Sequence, residues 1–280
     1  MWIGAPFSPV HDELERVMIS GLFRRASPPA DAQPGFQADP IQPDRPFYAI
    51  GDIHGSLGLL EQLLEQIDAD VEARGETAVD LVLLGDYVDR GEGSAQVLQR
   101  LEQLSTLFPE QVTCLKGNHE QMMIDFLADP ARAGRRWLRN GGLQTLASYG
   151  VGGVSDMSGP RALEEAAHAL RQQIPEEVLS WLEGLPSLWQ SGNVVCVHAG
   201  LDPERALADH PEEILIWGHP RFAQVPRQDG LWVIHGHTVV ADPRVEGGRI
   251  SVDLGAYYSG RLCAAAVAPG GVDFLVAGRD

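Results

Sequence analysis

The feature that most constrains this chain is a repeated join. An apolar run stops, and a polar residue follows within two positions, usually after a glycine. FYAI (47–50) runs into GDIHG, LVLL (81–84) into GDYVDRG, and VTCLK (112–116) into GNHE. Later VVCV (194–197) runs into HAG and LWVI (231–234) into HGHT. Apolar runs this short, bounded by turn residues, read as buried strands rather than helices. Between the first three runs, Leu59, Leu60, Leu63, Leu64 and Ile67 recur at helical spacing. So do Val97, Leu98, Leu101, Leu104 and Leu107, with Ser94 placed to cap their helix. Strand–helix–strand–helix–strand with short connections predicts an α/β unit with right-handed crossovers.

Residues 119–190 read as mostly helical, with a Gly-rich break at 150–159, and the remainder returns to short strands: NVVCVH, LWVIHGH, RISVDLG, LCAAAVA and VDFLVAG. Residues 1–46 stand apart. PPADAQPGFQADPIQPDRP is rich in proline, and LERVMISGLFRR before it has the spacing of a short amphipathic helix. The expected organisation is a proline-rich arm over 1–46 and one domain over 47–280, with a helical insert at about 130–190. A chain of 280 residues with 44% hydrophobic content can bury a sizeable core.

Composition excludes some functions. A formal net charge of −18 argues against a nucleic-acid partner, which calls for a basic surface. No apolar run approaches a membrane span, and the N-terminus lacks the basic-then-apolar order of a secretory signal. Cys114, Cys196 and Cys263 are odd in number and far apart. They read as small buried hydrophobes in a reducing compartment, so a cytoplasmic location is expected.

Function is expected where the strands stop, because α/β sheets bind ligands at the carboxyl ends of their strands. Five strand ends would bring Asp52, His54, Asp86, Asn118, His198 and a histidine of HGH to one edge. Asp52 and His54, two apart, share a side of an extended tip. Oxygen and imidazole donors without thiolate suit Mn, Fe, Zn, Co or Ni. Asp86 could bridge two cations, and Asn118 could supply a neutral amide oxygen. The glycines before Asp52, Asp86, Asn118 and His237 are expected to let the backbone turn sharply. Each piece alone has a plainer reading: Asn118 as a helix cap, Asp89 and Arg90 as a structural ion pair, a single histidine as a core residue. Their joint occurrence favours a site. In WVIHGHTVV, His235 and His237 face the same side, and the residues alone leave either as the ligand.

GDIHG, GDYVDRG, GNHE, a later HAG and a later GHT, in this order, resemble the metallophosphoesterases of the phosphoprotein phosphatase superfamily. The resemblance spans residues 47 to about 240 and is nearest to small bacterial Ser/Thr protein phosphatases; diadenosine tetraphosphate hydrolases are relatives. WLRNGGLQTLASYG (137–150) also resembles a segment of the bacterial members. The resemblance implies a four-layer α/β/β/α sandwich with a helical insert and two divalent metals, Mn by preference, at its edge. It implies Asp52 and His54 on the first metal, Asp86 on both, and Asn118, His198 and His237 on the second. It implies His119 as general acid, oriented by Asp89, and a metal-bridging hydroxide as nucleophile. Arg90, Asn118 and a second arginine would contact the phosphate. Bacterial members often carry that arginine two residues after the tryptophan of IWGHPRF (216–222). Here the position is His219, and Arg221 follows, so Arg221 or His219 is expected to serve.

The implied activity is phosphomonoester hydrolysis on a phosphoprotein or small phosphoester, first of all on phosphoserine and phosphothreonine. The alternative is dinucleoside polyphosphate cleavage. Arg135, Arg136 and Arg139 in the insert either meet anionic substrate or form a solvated face. Lys116, the only lysine, reads as a strand-end surface residue. The wider class carries Gly-His-x-His late in its sequence, so Gly236 sets the register: His237 is the implied ligand and Val239 replaces the last histidine. His235 is left to packing or a hydrogen bond behind the ligands.

Overall fold

Strand β1 (Phe47–Ile50) sits at the centre of a sheet and divides its side chains between two cores. Tyr48 and Ile50 point into a helix-covered cluster, and Phe47 and Ala49 into the space between two sheets. That is the period-2 alternation of a strand buried on both faces. The structure is a computed structural model that describes residues 39–278. The helix suggested by LERVMISGLFRR lies outside them.

The first sheet has the order β10-β9-β1-β2-β3. Strands β2 (Asp80–Leu83) and β3 (Val112–Cys114) run parallel to β1; β9 (Arg261–Ala268) and β10 (Gly271–Gly278) close the other side antiparallel. The second sheet has the order β4-β5-β6-β8-β7. Its β5 (Val194–Val197), β6 (Trp232–His235) and β8 (Arg249–Ser251) are parallel, between the antiparallel edges β4 (Leu188–Ser191) and β7 (Arg244–Glu246). Sequence reading missed both edges. They are four and three residues long, too short to set up an alternation, and pairing with their neighbours defines them.

Four layers follow from where the apolar residues go. Helices α1 (Leu57–Arg74) and α2 (Ser94–Leu107) cover the outer face of the first sheet with Leu60, Leu63, Ile67, Val97, Leu98 and Leu101. Between the sheets, Phe47, Val82 and Leu84 meet Val194, Cys196, Ile234 and Ile250. Each such side chain contributes about 1.5–3 kcal/mol by leaving water. On the far face, Val195, Val197 and Val233 pack against Leu215 and Ile216 of α8 (Glu212–Trp217). The chain therefore has the α/β/β/α sandwich its motifs implied.

Residues 118–183 carry α3 (Asn118–Ala128), α4 (Pro130–Trp137), α5 (Leu143–Ser148), α6 (Pro160–Gln173) and α7 (Glu176–Glu183). A π-turn, Leu138–Gly142, links α4 to α5, with Gly141 at φ 110°. The compositional boundary at residue 46 does not limit the packed structure. Ile41 is buried in the inter-sheet core, and Gln42 exchanges hydrogen bonds with Asn193. All three cysteines are free and buried.

Candidate functional site

The strand ends do converge, on unusual backbone. Among the described residues, five non-glycine residues have positive φ: His54 at 45°, Asp86 at 55°, Asp89 at 72°, Arg90 at 67° and His237 at 60°. Every one is a residue the motifs single out. Left-handed backbone costs a side-chain-bearing residue about 1–3 kcal/mol, so the surrounding contacts hold strain at these strand ends. The expected role of the preceding glycines needs correction. Gly85 is left-handed at φ 106°, but Gly51, Gly117 and Gly236 are not. Gly117 and Gly236 supply room instead: a Cβ there would collide with the carboxylates of Asp86 and Asp52, respectively.

Asp86 lies at the middle. Its carboxylate is buried 3.6 Å from His54 Nε2, 3.8 Å from His119 Nε2 and 3.3 Å from His198 Nε2. Burial raises its pKa, but the histidines around it, of which His119 keeps its proton, and the His119 backbone N–H lower it below the usual carboxylate range. Ligand atoms of His54, Asp86 and His119 fall within 4.8 Å of one another, as do those of Asp86, His198 and His237. Asn118 joins the second group, with Oδ1 2.9 Å from both His198 Nε2 and His237 Nδ1.

The hydrogen bonds show that this donor set fits a cation. His198 Nδ1 lies 3.0 Å from the Leu84 carbonyl, so it is the protonated nitrogen and donates there. Its Nε2 is then a lone pair, facing Asp86 Oδ1 and Asn118 Oδ1. Acceptors crowded in a buried place repel unless a cation lies among them. Burial lowers the His198 pKa to about 4, so this ring stays neutral, as a ligand must. His54 repeats the arrangement. Nδ1 donates to the Val88 carbonyl at 2.7 Å, and burial lowers its pKa to about 3. Its Nε2 lone pair receives Arg90 Nη1 at 3.0 Å.

His119 differs. Its Nδ1 meets Asp89 Oδ2 at 2.6 Å rather than a carbonyl. Burial works against its protonated form, but the charge of Asp86 and the bond to Asp89 prevail and raise its pKa. Asp89 is fully buried, and burial pushes its own pKa up as well. The donors around it decide its form. Trp137 Nε1 reaches both oxygens at 3.0 Å and Thr145 Oγ1 reaches Oδ1 at 2.6 Å, so the carboxylate is the anion and the imidazole keeps the proton. Ser94 is enlisted here too. It does not cap α2, whose cap position is Gly93; it is buried, and its Oγ accepts the Asp89 N–H at 3.1 Å. Trp137 and Thr145 both lie in WLRNGGLQTLASYG, so the insert supplies the residues that hold Asp89.

Several residues depart from the sequence expectation. Asp52 is buried nearby, but both its oxygens take the His237 N–H, at 3.0 and 3.1 Å, and it falls outside both compact donor groups. Burial and the charge of Asp253 raise its pKa well above the carboxylate norm. Arg221 does not enter the cluster: its guanidinium forks onto Glu204 at 2.7 Å from each terminal nitrogen, on the exposed side of the chain. Lys116 is not a surface residue; it is buried and pairs with Glu212 at 3.0 Å. His235 packs as expected, bonded to Ser251 Oγ at 3.0 Å and set against Phe222.

Sequence reasoning missed Glu120. Its buried carboxylate takes the backbone N–H groups of Asp86, Tyr87, Val88 and Gly117 at 2.7–3.3 Å and so ties two strand ends together. A charged residue directly after His119, in the first turn of α3, was the available signal. Asp253 and Tyr257 were missed as well. Tyr257 has its ring 5.0 Å below the Arg90 guanidinium and edge-on to His54.

The sequence pattern of the calcineurin-like phosphoesterases matches residues 45–278. The chain belongs to that family. This chain is 33% identical over 94 residues to a serine/threonine-protein phosphatase of Arabidopsis thaliana, covering 33% of this chain and 9% of that protein. It is 24% identical over 234 residues to an asymmetrical bis(5'-nucleosyl)-tetraphosphatase of Bacillus velezensis, covering 76% of this chain and 85% of that one. The chain spans less than half the length of several curated relatives, the plant protein included. Among solved structures it shares its fold with a putative diadenosine tetraphosphatase, with a TM-score of 0.57 and 21% identity over 85% of this chain and 96% of that one. In the described residues no helix is long and apolar enough to cross a membrane.

Proposed function

We propose that this chain hydrolyses phosphomonoesters, with phosphoserine and phosphothreonine of proteins as its substrates. The observation that carries this reading is the His119–Asp89 pair at 2.6 Å, buried beside Asp86. An imidazole held protonated by a carboxylate is a general acid. Serine and threonine alkoxides are poor leaving groups and need such a proton. The nucleoside phosphate expelled from a dinucleoside polyphosphate is a far weaker base and leaves without one.

The chain's own residues have distinct tasks in this reading. Two divalent cations, manganese in our reading, held by Asp52, His54 and Asp86 and by Asp86, Asn118, His198 and His237, would supply Lewis acidity toward the phosphoryl oxygens and an acidified water as nucleophile. Asp86 serves both groups, because its two oxygens face His54 and His198 separately. His119 keeps a proton at Nε2 and passes it to the departing alkoxide. Asp89 holds the ring by Nδ1 and stabilises its protonated form. Arg90 grips phosphate oxygens with its planar fork. Asn118, between the ligand histidines, also touches the phosphate. Arg221 is the proposed second phosphate contact only if Glu204 releases it.

A second reading, cleavage of dinucleoside polyphosphates, is favoured by the extent of the match to the Bacillus tetraphosphatase. Side-by-side turnover of phosphopeptides and diadenosine tetraphosphate by the manganese-loaded protein separates the two. Faster phosphopeptide turnover is expected. Cleavage of diadenosine tetraphosphate alone replaces the first reading with the second.

A further inference from the structure

A cleft of about 300 Å³ opens beside Arg90, lined by Arg90, Arg139, Asn140, Gly141, Gln144 and Tyr257. Arg90 thus faces two spaces, the buried cluster through its contact with His54 and this open cleft. The far wall comes from the π-turn between α4 and α5, which the Arg90 N–H fixes by donating to the Gly141 carbonyl at 3.3 Å. The cleft is therefore tied by a backbone hydrogen bond to the residue that would hold the reacting phosphate.

Its lining is rich in hydrogen-bond donors. Arg139 spends only Nε, on Asp156 at 3.0 Å; its terminal nitrogens have no protein partner among the described residues. That pair is exposed, with Arg139 at 62%, so water screens it and an incoming anion competes well. Gln144 adds an amide group, and Asn140, which gives one amide N–H to the Arg136 carbonyl at 2.8 Å, keeps its second. The one aromatic ring, Tyr257, already carries the Arg90 guanidinium on a face and Tyr258 at its edge. A nucleobase finds little stacking surface here. A carboxylate finds a guanidinium fork and amide donors.

We infer that this cleft is a subsite for an acidic side chain flanking the phosphorylated residue, with Arg139 as its specificity-determining residue. The inference rests on the protein phosphatase reading above. It gives a chain of net charge −18 a local means of drawing in acidic phosphopeptides.

The test uses the full-length, manganese-loaded protein and phosphopeptides identical except for one residue, aspartate, alanine or lysine, placed in turn on either side of the phosphoserine. Wild type should favour aspartate at one position by about tenfold in kcat/KM, fading as salt rises. Arg139→Ala should bring that ratio to about one, and Arg139→Glu should invert it in favour of a lysine at the same position. A ratio within one enzyme cancels any general loss of activity or folding, and an inversion cannot come from a structural defect. Phosphopeptide turnover with no flank preference, or a preference untouched by both variants, overturns the subsite and leaves the phosphatase reading intact. Turnover of diadenosine tetraphosphate without phosphopeptide turnover overturns both.

Discussion

The two halves of the cluster around Asp86 use the same residue types to different ends. One half comes from the first sheet: His54 beyond β1 and His119 beyond β3. The other comes mainly from the second sheet: His198 beyond β5 and His237 beyond β6. In the second half, burial lowers both histidines, and His198 is oriented by the Leu84 carbonyl. In the first half the histidines part company. His54 leans on the Val88 carbonyl and is lowered; His119 leans on the Asp89 carboxylate and is raised. One atom behind the ring decides whether an imidazole offers a lone pair or a proton.

The substitution expected to do most damage is Asp86→Asn, because that carboxylate belongs to both halves. Turnover of p-nitrophenyl phosphate should fall to background and bound metal per chain should drop. Full activity with full metal content would remove the two-metal reading. His119→Asn acts on the first half alone. It should cost about 10²–10⁴-fold on alkyl phosphates and much less on aryl phosphates, whose leaving groups need less protonation. Asp89→Asn should show the same alkyl-to-aryl split, because it takes away the carboxylate behind His119. Equal losses on both substrates would show that the two halves do not differ as described.

Glu120→Gln tests the frame that both halves share. It sets an amide N–H against buried backbone donors, and should cost about 1–3 kcal/mol of stability in urea unfolding. A midpoint equal to wild type would make the clamp incidental. Arg221→Ala should do least, leaving kcat/KM within a few-fold, since Glu204 engages that side chain away from the cluster. A loss as deep as that of His119→Asn would restore Arg221 to the phosphate.

Much of the fold was legible because buried strands leave short apolar runs and helices leave a 3.6-residue rhythm. β1, β2, β5, β6 and the helices α1 and α2 stood out that way. β4 and β7 did not, since each exists by pairing with a neighbour. Ser94 shows a related limit. A serine at the head of a helical pattern reads as a cap, yet here it turns inward to the Asp89 backbone. Lys116 reads as exposed because lysine usually is; the partner that lets it be buried, Glu212, lies far along the chain.

The residue types at the strand ends, their order and the family they mark were determined by sequence alone, because chemistry at the tip of a strand needs particular side chains next to an apolar run. Tertiary structure decided which of those side chains share a space and in what charge state. It placed Asp89 behind His119 and held it there with Trp137 and Thr145 from the insert. It turned Asp52 toward the His237 backbone and drew Arg221 away to Glu204. It also put His54, Asp86, Asp89, Arg90 and His237 into left-handed backbone, which Asp and His tolerate better than most side chains but which still carries a local cost. Such conformations persist only when contacts from distant segments outweigh their cost, and those contacts exist only in the folded chain.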